Sequence, residues 1–204
     1  MTIAAQITDK AASLFDVTGV SQSSKGDKLL ILGLESRPDR DLDEFGHLGG
    51  GFQLPGFKKH MGPRLETLLA FIHDRGFSAD PVGRYGYPLE RQINLKEEAI
   101  RTGLGRLGKS SVVLHPKFGP RLRFAAVTTD APLEPVEDSG LPDKENPVCD
   151  QCSICVDACP VNILEAYRMT NTSPCLSNLS PVDKDGRSIL CDLCLQMCPA
   201  ARTA

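Results

Sequence analysis

Hydrophobic positions near the start repeat at helical spacing. Ile3, Ile7, Ala11, Leu14 and Phe15 share one face, which predicts a helix over residues 2–17 ending near Gly19. Lys28 to Leu34, KLLILGL, is apolar without alternation and too short for a helix, so it reads as a buried strand. The stretch that follows has no periodicity and carries Gly46, Gly49, Gly50 and Gly51, which predicts a loop. Pro63 then opens a second helix, with Leu65, Leu68, Leu69 and Ile72 on one face and Arg75 and Gly76 as its stop. Residues 77–87 are weakly strand-like. Asn94 and Glu97 occupy the N-cap and N3 positions of a capping box, so Leu95 to Thr102 should be a short helix closed by Gly103. SSVVLH and RLRFAAVTT flank a turn at Pro116 to Pro120 and predict a hairpin. Helices and strands mix without strict alternation, so the first domain is expected to be α+β around one sheet.

Pro132, Pro135, Pro142 and Pro147 among acidic residues mark a linker. The expected organisation is an α+β domain over 1–135, a linker over 136–148 and a small domain over 149–204. Composition is ordinary for a globular chain of 204 residues, with 41% apolar and 24% charged positions. A formal net charge of -3 lacks the basic surplus that nucleic-acid binding needs, so no nucleic acid is expected as a partner. No apolar run reaches the roughly 18 residues of a membrane span, and the first ten residues do not read as a secretory signal. A soluble, cytoplasmic protein is expected.

The cysteines change this picture. All eight lie from Cys149 onward. A reducing compartment disfavours four disulfides, which leaves metal ligation. Cys149, Cys152, Cys155 and Cys159 form C-x2-C-x2-C-x3-C followed by Pro160, and Cys175 with Cys191, Cys194, Cys198 and Pro199 repeats the same ending after a wider gap. Three cysteines at steps of three wrap one face of a 4Fe-4S cube, while the fourth, beside the proline, points at the other cluster. The crossed sets are then Cys149, Cys152, Cys155 and Cys198 for one cluster, and Cys159, Cys175, Cys191 and Cys194 for the other. Two zinc ions would also use eight thiolates, but neither the run of three nor the Cys-Pro endings serve a tetrahedral ion. So small a module has little apolar core of its own, which makes the clusters its effective core.

Gly103 to Ser110, GLGRLGKS, satisfies the phosphate-loop and dinucleotide patterns together. Both require a strand before the glycines and a helix after them, and the predicted order here is the reverse. The run reads instead as a helix end and tight turn into a strand, or as backbone open to a flat ligand with Lys109 beside it. His47, His60, His73 and His115 are scattered and form no metal pair, and His73 is expected at the surface. Tyr85 and Tyr87 are candidate proton donors, although tyrosines beside a strand more often serve packing.

Residues 100–135, IRTGLGRLGKSSVVLHPKFGPRLRFAAVTTDAPLEP, followed by CDQCSICVDACP and CDLCLQMCP, resemble the epoxyqueuosine reductases and reductive dehalogenases. The resemblance implies a nitroreductase-like α+β domain that holds a cobalamin, joined to a two-cluster ferredoxin-like domain that feeds it electrons. It also implies that Gly103, Leu104, Gly105, Gly108, Lys109, Ser110 and Ser111 lie against the corrinoid, with Lys109 holding charge near the substrate. The family's catalytic aspartate falls at Leu89 in this chain. Glu90 is adjacent, but one residue along a strand faces the other way, so it stays a candidate beside Lys109, Tyr85 and Tyr87. The function implied is one-electron transfer through two 4Fe-4S clusters to cobalamin for reductive chemistry on a small molecule or on a corrinoid carried by another protein. The alternative is a ferredoxin-type relay that docks a partner and binds no corrinoid. A ferredoxin or flavodoxin is the expected electron donor, and nitroreductase-like folds suggest a homodimer by analogy.

Overall fold

The computed structural model describes residues 1–22, 26, 28–48, 51–87, 93–136, 145–181 and 187–201. In chain order it contains α1 (Ile3–Leu14), β1 (Val17–Gln22), β2 (Lys28–Glu35), β3 (Glu44–Leu48), β4 (Gly51–Gln53), α2 (Gly62–His73) and β5 (Ala79–Pro81). Then follow α3 (Leu95–Arg101), β6 (Arg106–Leu107), β7 (Val113–Leu114), β8 (Leu122–Thr129) and α4 (Ile154–Asp157). The chain finishes with β9 (Leu164–Glu165), β10 (Arg168–Met169), α5 (Ser173–Ser177), β11 (Leu179–Pro181), β12 (Arg187–Leu190) and α6 (Leu193–Gln196). The fold class is α+β.

The chain packs as two compact units assembled from interleaved segments. One comprises Met1–Glu35, His60–Leu104 and Arg123–Pro142, and the other Ser36–Lys59, Gly105–Leu122 and Asp143–Ala204. The cysteine-bearing segment thus shares its unit with two stretches from the first two thirds of the sequence.

The first unit is built on a sheet in the order β1-β2-β8-β5. Leu29 to Leu32 and Leu34 are each at most 1% exposed, so β2 is covered on both faces, as its unalternating run requires. Ile7 and Ala11 of α1, and Leu65, Leu68 and Ile72 of α2, are buried at the predicted helical spacing. Thr2 caps α1 by accepting the Ala5 N–H, and Asn94 caps α3 by accepting the Glu97 N–H. A buried polar contact ties α3 to β1. Ser21 donates to Glu98 Oε2 at 2.6 Å, and Arg101 reaches the same carboxylate at 3.2 Å.

Three expectations differ from the structure. The first helix ends at Leu14, and Val17, predicted as its last residue, instead opens β1, since Val17 to Gln22 pair antiparallel with Gly33 to Lys28. In the glycine-bearing stretch predicted as a loop, Glu44–Leu48 form β3 and Gly51–Gln53 form β4, while Gly49 and Gly50 lie outside the described residues. There β3 pairs with β12, and the sheet of the second unit runs β11-β12-β3-β4. The hairpin predicted from SSVVLH and RLRFAAVTT is not formed. Its halves enter different sheets, β7 beside β6 and β8 between β2 and β5. His115 and Gly119 close the turn between them by paired backbone hydrogen bonds. Each difference is a long-range backbone pairing to which local periodicity is blind.

Candidate metal centres

The two Cys-Pro endings build the same local structure. In each, a short helix carries the third cysteine of its run or its counterpart, Cys155 in α4 and Cys194 in α6, and delivers the following cysteine from its C-terminal end. The hydrogen bonds repeat: Ala158 N–H to Ile154 O and Met197 N–H to Leu193 O are both 2.9 Å, and Cys159 N–H to Val156 O and Cys198 N–H to Leu195 O are both 3.2 Å. Proline has no N–H, so the next amides are free to turn back onto sulfur. Amides of Val161, Asn162, Ile163 and Leu164 reach Cys159, helped by Asn162 at φ 49°, and amides of Ala200 and Ala201 reach Cys198.

Two cavities collect the cysteines in fours, both within the second unit. One, of about 70 Å³, is lined by Cys149, Cys152, Cys155 and Cys198 together with Lys109, Ser110, Leu114 and Val148. The other, of about 20 Å³, is lined by Cys159, Cys175, Cys191 and Cys194 with Val161, Ile163, Leu164 and Met169. Each cavity takes one cysteine from the other Cys-Pro motif. All eight cysteines are free thiols.

Burial pushes the Cys155, Cys175 and Cys198 thiols up, and nearby cysteines add to the shift as like charges. Cys194 is pushed up to about 12 by burial and then by Cys175, Cys155, Cys191 and Cys159. For Cys159 burial also acts upward, but the amides on its sulfur outweigh it and the thiol is lowered. Such a crowd of sulfur is stable as thiolate only around positive charge, which a metal centre supplies. Among the described residues no three of His, Cys, Asp or Glu close on a single ion. A tetrahedral zinc site would need sulfurs about 3.8 Å apart, given Zn–S bonds of about 2.3 Å. The donor set fits a cube-shaped cluster seated among four thiolates in each cavity.

Lys109 and Ser110 lie on the wall of the first cavity. The Lys109 ammonium donates to the Asp150 carbonyl at 3.1 Å, and the Lys109 carbonyl accepts the Tyr167 N–H at 3.2 Å. Ser110 is 3% exposed and Ser111 is buried at φ 61°. Gly105 and Gly108 have a packing role, since an added Cβ would meet Leu114 O at 2.5 Å and the Leu114 side chain at 2.8 Å respectively. Gly103, at φ 75°, has nothing within 4 Å of that position, and the adjoining Leu104 is buried. The order helix, glycine turn, strand matches the predicted one, so the nucleotide-loop patterns lack the helix that would hold phosphate.

Tyr85 and Tyr87 sit in a turn of the first unit, closed by reciprocal Arg84 and Tyr87 backbone bonds, and neither lines a cysteine cavity. Leu89 and Glu90 lie outside the described residues. His73 is exposed, with Nε2 3.0 Å from the Ala79 carbonyl, and His115 Nδ1 accepts the Lys117 N–H. Burial, then Lys117, lowers the His115 pKa. Tyr167 was not singled out from sequence. At φ 66° it packs against the group formed by Leu114, Cys149 and Cys198, and burial followed by Glu145, Cys149 and Asp150 raises its pKa. Its position in the β9–β10 turn gave no sequence signal.

No family model matches the chain. The epoxyqueuosine reductase of Staphylococcus aureus is 33% identical over 154 residues, covering 70% of this chain and 38% of that protein. The tetrachloroethene reductive dehalogenase of Desulfitobacterium hafniense is 32% identical over 97 residues, covering 48% of this chain and 16% of that protein. The chain therefore spans less than half the length of these relatives. A solved epoxyqueuosine reductase with an epoxyqueuosine-modified tRNA-Tyr stem loop superposes with a TM-score of 0.66 at 18% identity, over 98% of this chain and 65% of that one. A reductive dehalogenase structure described for B12-dependent dehalogenation superposes with a TM-score of 0.60 at 18% identity, over 96% of this chain and 31% of that one. The fold is thus that of the epoxyqueuosine reductases and reductive dehalogenases. In sequence and in fold, the chain is thus similar to epoxyqueuosine reductases and reductive dehalogenases.

Proposed function

We propose that this protein is a reductive redox protein that holds two 4Fe-4S clusters and passes single electrons to a cobalamin. The observation that carries the reading is the sorting of eight free cysteines into two four-cysteine cavities, each completed by a cysteine from the other motif. Cys149, Cys152, Cys155 and Cys198 hold one cluster, and Cys159, Cys175, Cys191 and Cys194 the other. Amides turned onto Cys159 and Cys198 stabilise their thiolates.

A bound cobalamin supplies the reducing metal centre in this reading. Its proposed contact is the turn from Gly103 to Ser111, where Gly103 leaves backbone open. The domain roles follow the sequence: corrinoid binding in 1–135, the linker at 136–148 and the clusters in 149–204, with the Lys109 turn brought to the first cavity. A ferredoxin or flavodoxin serves as electron donor, and a reducing compartment such as the cytoplasm suits the thiolates. The stem loop held by one solved neighbour makes a nucleic acid one substrate class to test, beside halogenated organic molecules and a corrinoid on another protein.

A second reading, an electron relay without corrinoid, draws on Gly105 and Gly108, whose missing side chains are explained by Leu114. One experiment separates the two. The full chain is reconstituted anaerobically, its iron is counted, hydroxocobalamin is added, and the desalted protein is read for a corrinoid spectrum. Two cubes and a retained corrinoid support the first reading. Two cubes without corrinoid support the relay, and bound zinc in place of iron overturns both.

A further inference from the structure

The walls of the two cysteine cavities differ in charge. The first has Lys109 on its wall, and the second is lined beside its cysteines by Pro160, Val161, Ile163, Leu164, Met169 and Asn178, none of them charged. Lys109 comes from a segment far upstream of the cysteines, and it is held at two points. Its ammonium is 3.1 Å from the carbonyl of Asp150, inside the loop between Cys149 and Cys152, and its own carbonyl accepts the Tyr167 N–H at 3.2 Å. The ammonium is therefore fixed on the loop that joins two of the first cavity's cysteines.

We propose that Lys109 selectively raises the reduction potential of the cluster held by Cys149, Cys152, Cys155 and Cys198. The inference rests on the two-cluster reading above and assigns Lys109 an electrostatic role toward one cluster. Adding an electron makes a cluster more negative by one charge, and a fixed cation nearby stabilises that reduced form. Amide donors act in the same direction and are more numerous on Cys159 than on Cys198. Coulomb attraction weakens with distance, and Lys109 lines the first cavity and not the second, so its removal shifts the first cluster more than the second. An electron entering the module is thereby favoured on the cluster beside the glycine turn.

The test uses the anaerobically reconstituted full chain, titrated with dithionite while the reduced clusters are followed by electron paramagnetic resonance. The signal altered in Cys198→Ser identifies the first cluster. Lys109→Gln should lower the midpoint of that signal by more than that of the other, while Lys109→Arg keeps both at their wild-type positions. An unmoved midpoint, equal shifts of both clusters, or a shift in Lys109→Arg as large as in Lys109→Gln would overturn the proposal. If Lys109→Gln takes up less iron, Lys109→Met is titrated instead, and iron loss in both variants shows a structural tie and likewise overturns it. A wild-type chain that holds fewer than two cubes refutes the underlying reading. Two cubes with unmoved midpoints refute this inference alone.

Discussion

Replacing Gly105 by alanine asks what the glycine turn is for. Gly105 has φ 147°, and an added Cβ would stand 2.5 Å from the Leu114 carbonyl oxygen and 2.7 Å from Val113 Cγ1. Backbone strain at such an angle costs about 1–3 kcal/mol. Forcing a methyl against a backbone carbonyl that cannot rotate away adds about 1–3 kcal/mol. Taking about 4 kcal/mol as the midpoint of the sum, and about 2–4 °C of melting temperature per kcal/mol for a chain of this size, Gly105→Ala should melt about 8–16 °C below wild type. Gly103 is the internal control, since at φ 75° it has nothing within 4 Å of the added atom. Only the conformational cost of about 1–2 kcal/mol remains there, or about 2–8 °C. Thermal unfolding of the reconstituted chain, followed anaerobically by far-ultraviolet circular dichroism, measures both variants. Equal melting temperatures for the two would refute the packing argument. An unshifted Gly105→Ala that had lost corrinoid would return that glycine to the ligand.

Ser21→Ala removes the shorter of two donors to a carboxylate only 8% exposed, and leaving Glu98 Oε2 with only the 3.4 Å contact from Arg101 costs about 1–3 kcal/mol. Urea titration measures it, and a change within about 0.5 kcal/mol would show that Arg101 alone satisfies Glu98. Burial and neighbouring thiols raise Cys155, Cys175, Cys198 and Cys194, the last to about 12. These thiols are therefore protonated in the metal-free chain near neutrality, and under the proposed two-cluster reading they would release protons as iron binds. At limiting iron and sulfide, loading should go further at about pH 8.5 than at about pH 6.5, and equal iron per chain at both would count against proton-linked ligation.

Much of the local structure was legible in the residues themselves. Thr2 and Asn94 cap α1 and α3, and the buried face of α2 follows its leucines, because capping and amphipathic spacing act within a few residues. The Cys-x2-Cys-x3-Cys-Pro runs are equally local. Their spacing sets a turn of helix, and the proline lets later amides reach sulfur.

Pairings between distant backbones were decided only by the folded chain. β3 joins β12, β8 leaves β7 to enter another sheet, and Lys109 reaches the Asp150 carbonyl. A backbone N–H or carbonyl is chemically the same at nearly every residue, so hydrogen-bond partners far apart in sequence leave little mark on composition or period. Sequence alone therefore determined which atoms can bind metal and which short segments present them. The cysteine spacing also gave the two sets of four, whereas tertiary structure decided which cavity has Lys109 on its wall, because that depends on segments that meet only after the long-range strands have paired.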